Sequence, residues 1–125
     1  MNRILLVEAR PDLADLLDGM LLELDFEVVI ATTLNAAITA AHSADVGLAL
    51  LEVNLGSLRS YPVAEVLRAR GIPFAFINSQ GRSALDHAYS STPVLVKPFN
   101  RQQLHKVIDL LKSLKQSPPI HSADP

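Results

Sequence analysis

Apolar positions along the chain fall into two alternating patterns. Arg3–Val7, "RILLV", is a short, nearly continuous apolar run, which predicts a strand buried on both faces. Pro11 then opens a helical stretch, with proline at the start of the first turn. Leu13, Leu16, Leu17, Met20, Leu21 and Leu24 recur at helical spacing and predict a stripe facing the core. Asp12, Asp15, Asp18 and Glu23 fall off that stripe, and the first two also suit the positive end of a helix. Leu22 is apolar but off the stripe, so it is expected at the surface.

The alternation continues to residue 115. Glu27–Ala31, "EVVIA", is β-branched and strand-like. Thr32 or Thr33 caps a helix running to about His42 through Ala36, Ala37, Ile38, Ala40 and Ala41. The run Val46–Leu51 predicts a third strand, followed by a Gly56–Ser57 loop. Ser60 is placed to cap a third helix, with Pro62 in its first turn, Val63, Val66 and Leu67 inward, and Gly71 as its stop. Ile72–Ile77 reads as the fourth strand, Ser83–Tyr89 as a short weak helix and Val94–Val96 as the fifth strand. Asn100 caps a last helix with the stripe Leu104, Val107, Ile108, Leu111 and Leu114, and Leu110 off it. Residues 116–125 carry three prolines and two serines and are expected to form a flexible tail, so the domain itself spans 1–115.

Strand followed by helix, repeated along one chain, is the signature of an α/β fold: a parallel sheet covered on both faces. Five such units in this length predict a doubly wound five-stranded sheet of order 2-1-3-4-5, a flavodoxin-like three-layer sandwich. Ligands of such sheets sit beyond the carboxyl ends of the strands, where the strand order reverses. That rule gathers Glu8 and Ala9 after strand 1, Glu52, Val53 and Asn54 after strand 3, Asn78 and Ser79 after strand 4, and Lys97 after strand 5.

Composition narrows the classes. With 49% hydrophobic and 19% charged residues the chain is globular, and a net charge of −2 offers no strong attraction to nucleic acid or to an anionic membrane. There is no cysteine, which excludes disulfides, thiolate metal sites and cysteine nucleophiles and fits a cytoplasmic location. His42, His87, His105 and His121 are scattered, without metal-ligand spacing. No phosphate-binding loop and no nucleophile elbow is present. The turn Ser79–Gly81 has backbone amides that can face an anion.

The residues at the sheet edge are the chemical candidates. Glu8 and Glu52, on adjacent strands, repel each other unless a cation lies between them, and Lys97 can supply it. Carboxylates, a hydroxyl and an ammonium converging on one point suit phosphoryl chemistry, in which carboxylates hold a divalent metal and a lysine meets the transferred oxygens. A plain structural ion pair between Glu52 and Lys97 fits the same residues.

Four blocks in order, "RILLVEARPD", "LALLEVNLGS", "GIPFAFINSQG" and "VLVKPF", resemble the signature blocks of response-regulator receiver domains, the CheY-like fold. The resemblance covers residues 2–115, and Lys97-Pro98-Phe99 is its most specific part. It implies a phosphoacceptor position at Glu52, a metal-binding acidic pair at Glu8 and Ala9, a carbonyl ligand at Asn54, a switch hydroxyl at Asn78 with Ser79 next to it, a switch aromatic at Val94, and the lysine at Lys97. The lysine and one acid match. The acceptor, the direct metal ligand, the switch hydroxyl and the switch aromatic depart from the family pattern.

Those departures have physical weight. Glutamate places its carboxylate about 1.5 Å further out than aspartate. Misplacement near 1 Å costs phosphoryl transfer about 10²-fold. Alanine at position 9 takes a carboxylate from the metal site, leaving Glu8, Glu52 and the Asn54 carbonyl for weak Mg2+ binding. Glu52 then either mimics the phosphorylated state with a fixed charge or marks a decayed site. The expectation is a non-enzymatic pseudo-receiver of a bacterial two-component phosphorelay, stand-alone and with little or no phosphotransfer. Its implied partners are a histidine kinase or other signalling protein, or a second copy through the last helix, strand 5 and the short fourth helix. The alternatives are a phosphorylatable stand-alone regulator using an atypical acceptor, and a receiver fragment of a larger regulator.

Overall fold

The structure, a computed structural model, describes residues 2–43 and 45–116. The main sheet contains β1 (Arg3–Val7), β2 (Glu27–Ala31), β3 (Leu48–Glu52), β4 (Phe74–Asn78) and β5 (Val94–Val96). All pairings are parallel, in the order β2-β1-β3-β4-β5. The helices are α1 (Pro11–Leu22), α2 (Leu34–Ala41), α3 (Tyr61–Ala69) and α4 (Arg101–Gln116). The predicted doubly wound sheet and its strand order are both found.

Strand periodicity decides which helix covers which face. Ile4, Leu6, Leu48, Leu50, Ala75, Ile77 and Leu95 pack with Leu17, Met20 and Leu21 of α1 and with Leu104, Ile108 and Leu111 of α4. Their neighbours Leu5, Val7, Ala49, Leu51, Phe74 and Phe76 pack with Ala37 and Ala41 of α2 and with Val63, Ala64 and Leu67 of α3. Successive side chains of a strand point to opposite faces, so a strand in the middle of a three-layer sandwich must be apolar at every position. That is why the strand runs are unbroken.

Several expectations are corrected. Leu16 is 59% exposed, and Ala14 takes its place in the buried arc of α1. Leu114 is exposed, Val66 and Val107 only partly buried, and Leu22 and Leu110 lie at the surface as expected. The third and fourth strands start about two residues later than their apolar runs, and the runs' first residues lead in from the loop. The Gly56–Ser57 loop is the turn of a short two-stranded ribbon that the sequence did not suggest, Asn54–Leu55 against Leu58–Arg59, with Gly56 at a left-handed φ of 66°. Ser83–Tyr89 is not a helix but two 3₁₀ turns, Arg82–Ala84 and His87–Tyr89, separated by the extended residues Leu85 and Asp86. Gln116 ends α4, and the rest of the expected tail, with His121, lies outside the described residues.

The helix starts differ in chemistry. Thr33, not Thr32, caps α2, its hydroxyl accepting the Ala36 N–H at 3.1 Å. Asn100 and Gln103 cap α4 reciprocally, each side chain accepting the other's backbone N–H at 2.8 Å. Ser60 makes no such bond at α3; it is fully buried and its hydroxyl has no partner. Ser60→Ala should therefore leave stability unchanged or raise it by up to about 1 kcal/mol, because no hydrogen bond is lost and a desolvated hydroxyl is removed. Urea unfolding of both chains checks this; a clear loss of stability would show that the hydroxyl is paired in solution.

Candidate functional site

The site follows from strand parity. Glu8 continues the alternation Ile4, Leu6; Glu52 continues Leu48, Leu50; Lys97 continues Leu95. All three therefore leave the sheet on the α1/α4 face at its carboxyl edge. The long lysine spans β4 to meet both acids. Its Nζ lies 2.8 Å from Glu52 Oε2 and 3.4 Å from Glu8 Oε1. Glu8 is 1% exposed, and its second oxygen accepts the Arg10 N–H at 3.2 Å. Glu52 Oε2 is buried without a well-directed hydrogen bond, so charge rather than alignment holds it against the ammonium. Two acids and one lysine leave the cluster one negative charge in excess.

Burial pushes the Glu52 carboxyl above the usual glutamate range; Lys97 opposes the rise and Glu8 reinforces it. The sign of the resulting pH dependence is fixed. The folded chain holds this proton more tightly than the unfolded chain, so the associated stability is fully present below the unfolded value of 4.5 and is lost as pH rises through the raised folded value. Glu52→Gln removes that loss. The variant should be at least as stable as the parent at pH 7, with a flatter stability–pH profile above 4.5. Chemical denaturation across pH checks it; a less stable variant at pH 7 would mean that the Lys97 pairing outweighs burial.

The other predicted residues are placed as follows. Ala9 packs against the α2/α3 core and offers no ligand atom to the carboxylates beside it. Asn54 is exposed at the start of the ribbon. Asn78 is buried, and its side chain is spent on its own loop: its amide donates to the Gly81 carbonyl at 3.0 Å and its oxygen accepts the Gly81 N–H at 2.8 Å. That bond also takes the Gly81 amide that sequence suggested for an anion. Ser79 is exposed, and Val94 is partly buried. Beside Lys97 lies an open groove of about 410 Å3, lined by Leu13, Leu16, Met20, Ser79, Pro98 and Phe99. Leu16, displaced from the core, forms part of its wall.

Magnesium fits this donor set poorly. Both carboxylates lie against Lys97, the position beside Glu8 is alanine, and no group of three or more His, Cys, Asp or Glu among the described residues could hold a metal ion.

SdrG from Sphingomonas melonis Fr1, a response-regulator receiver domain, is 35% identical to this chain, covering 90% of it and 97% of SdrG, with a TM-score of 0.80. The chain belongs to the receiver-domain family. A solution structure of SdrG in its BeF3-activated conformation, attributed to Pseudomonas melonis Fr1, matches this receiver at 36% identity over 87% of it and 94% of SdrG, with a TM-score of 0.75. The receiver domain of the sensor histidine kinase PA1611 from Pseudomonas aeruginosa PAO1, with magnesium in its active-site cleft, is 24% identical over 93% of this chain and 98% of that one, with a TM-score of 0.76, and shares the fold. No protein-family model and no curated protein matches the chain.

Two contributors to this receiver's site escaped sequence reading. Arg10 supplies the backbone N–H that holds Glu8, and a backbone donor leaves no signal in residue type. The reciprocal Asn78–Gly81 bonds were hidden too, although asparagine three residues before glycine is a common turn pattern and the available cue. His42, His87 and His105 are exposed, in keeping with a surface role.

Proposed function

We propose that this receiver serves a two-component phosphorelay mainly as a protein-interaction module, with little or no phosphotransfer through Glu52. The observation that carries the reading is the Lys97 ammonium 2.8 Å from Glu52, which occupies the acceptor-position carboxylate with an internal ion pair. The alanine at position 9 and the asparagine tied to Gly81 point the same way. Weak Mg2+ binding through Glu8, Glu52 and the Asn54 carbonyl is the most this donor set supports. The reading includes a bacterial, cytoplasmic setting and a histidine kinase or other signalling protein as partner. It also includes self-association through α4, β5 and the segment between β4 and β5, where Val96, Leu110 and Leu114 are exposed. No helix among the described residues is long and apolar enough to cross a membrane.

A second reading has its own support: SdrG has been solved in a BeF3-activated conformation, so a close relative adopts a phosphoryl-mimic state. In that reading Glu52 accepts a phosphoryl group. Incubating the full chain with acetyl phosphate and magnesium and following intact mass separates the two. Little or no adduct is expected; efficient labelling at Glu52 would overturn the pseudo-receiver reading and establish the second.

A further inference from the structure

The segment between β4 and β5 has an unusual construction. Tyr89, 3% exposed, is the one buried residue between Asn78 and Leu95. Its ring stacks on Tyr61 with centroids 5.0 Å apart and meets Phe76 edge-on at 5.2 Å. Its hydroxyl donates to the Glu65 carboxylate, and the Arg68 guanidinium lies 4.5 Å from the ring centre. Burial and the Glu65 carboxylate push the hydroxyl well above its usual range, so it remains a donor.

Leu85 adds one partly buried apolar contact with the same core, and the other fasteners are polar. The Tyr61 hydroxyl accepts the Asp86 N–H at 2.7 Å, and Arg68 donates to the Ala88 carbonyl at 3.1 Å. Arg82 donates to the carbonyls of Ser90 and Thr92 at 2.6 and 2.8 Å, tying the segment to itself. Tyr61, Glu65 and Arg68 all belong to α3. Immediately before Tyr61, the Ser60 N–H donates to the Val53 carbonyl at 2.9 Å, and Val53 follows Glu52. The root of the fastening face is thus bonded to the residue next to the candidate site.

We infer that residues 82–92 form a strap that opens from α3 as one unit, with Tyr89 as its latch and Glu65, Arg68 and Tyr61 as the catch. A segment with one fully buried anchor, one partly buried leucine and no ordered structure beyond two single 3₁₀ turns has little to stop it moving cooperatively once the anchor leaves. Opening uncovers the ring of Phe76, which is fully buried when the strap is closed. The inference is independent of whether Glu52 takes a phosphoryl group.

Amide hydrogen exchange on the full chain tests it, using Tyr89→Phe, which keeps the ring and removes the hydroxyl, and Tyr61→Phe, which removes the acceptor of Asp86. Each variant should speed exchange at Asp86, Ala88, Tyr89 and Ser90 together, by about tenfold for one hydrogen bond, since 1.4 kcal/mol is tenfold. Amides of β1, β3 and β4 should stay within about twofold of the parent, the signature of local rather than global opening. Tyr61→Phe acts on the front of the strap and Tyr89→Phe on its back, so the shared response is the decisive part. The inference is overturned if each variant changes only its own half, if neither changes exchange, or if the rise is equal in strap and sheet.

Discussion

Lys97→Met should lower folding stability by about 3 kcal/mol at pH 7, the low end of what removing one partner from a buried charge cluster costs. The low end applies because Lys97 and Glu52 keep some water contact, with side chains 21% and 13% exposed. Glu8 does not, at 2%. Without the ammonium, two carboxylates face each other at the sheet edge with no cation between them. The methionine stem preserves the packing of the lysine chain, so the loss reports charge. The pH dependence should carry the diagnosis. In the variant Glu52, already raised by burial, loses the ammonium that opposed the rise and takes up a proton more readily when folded than when unfolded, so stability recovers as pH falls from 7 toward the ordinary glutamate value of 4.5. Adding Glu52→Gln to Lys97→Met should restore part of the loss at pH 7, because the facing pair of carboxylates is then reduced to Glu8, which keeps its bond from the Arg10 N–H. Urea unfolding at pH 7 and pH 5 measures all of this. A loss independent of pH, or one that Glu52→Gln does not reduce, would show that Lys97 acts through packing and not by neutralising the acids.

Ala9→Asp combined with Glu52→Asp should turn the chain into an efficient phosphoacceptor in magnesium-containing buffer, with labelling by acetyl phosphate faster than in the parent by about 10² or more. Two physical changes are joined. Shortening residue 52 by one methylene withdraws its carboxylate by about 1.5 Å, which loosens its hold on Lys97. The new aspartate supplies the carboxylate that the parent lacks beside Glu8. Neither change should suffice alone. Ala9→Asp by itself places a third acid beside Glu8 and Glu52, and should destabilise the chain in metal-free buffer and regain stability when magnesium is added. Intact-mass spectrometry and thermal unfolding with and without magnesium check both halves. A folded, magnesium-stabilised double variant that remains unlabelled would move the block to Asn78, whose amide is committed to Gly81.

The elements most legible in the sequence were those marked by a dense strand-type run between polar or proline residues. β1, β2 and β5 begin and end where that pattern placed them, although only β1 is an interior strand; β2 and β5 form the sheet edges and keep exposed residues, Ile30 and Val96. The fully buried β3 and β4 were misplaced at their starts, because apolar residues continue into the loops before them. The short fourth helix failed for the opposite reason. Ser83–Tyr89 has no repeating apolar spacing, and Asp86, whose side chain accepts the Ala88 N–H at 3.0 Å, caps a single 3₁₀ turn in place of a longer helix. Leu16 and Leu114 show the limit of periodicity. It says which residues share a face of a helix, not how far the neighbouring layer extends over that face.

For the candidate site, sequence alone determined the membership: Glu8, Glu52 and Lys97 stand at carboxyl ends of strands whose order follows from the βα alternation. It also fixed the residue types Ala9 and Val94 at the two positions where the family resemblance implies an acid and an aromatic ring. Only the tertiary structure decided the connections. It put Lys97 against both acids, because the three share a strand parity that holds only once register and strand ends are known. It committed Asn78 to its own turn, and it gathered Tyr61, Glu65, Arg68 and Tyr89 from α3 and a distant loop. Residue types carry charge and reach, but contacts between segments far apart in sequence depend on how two layers pack, and that is settled by the whole core at once.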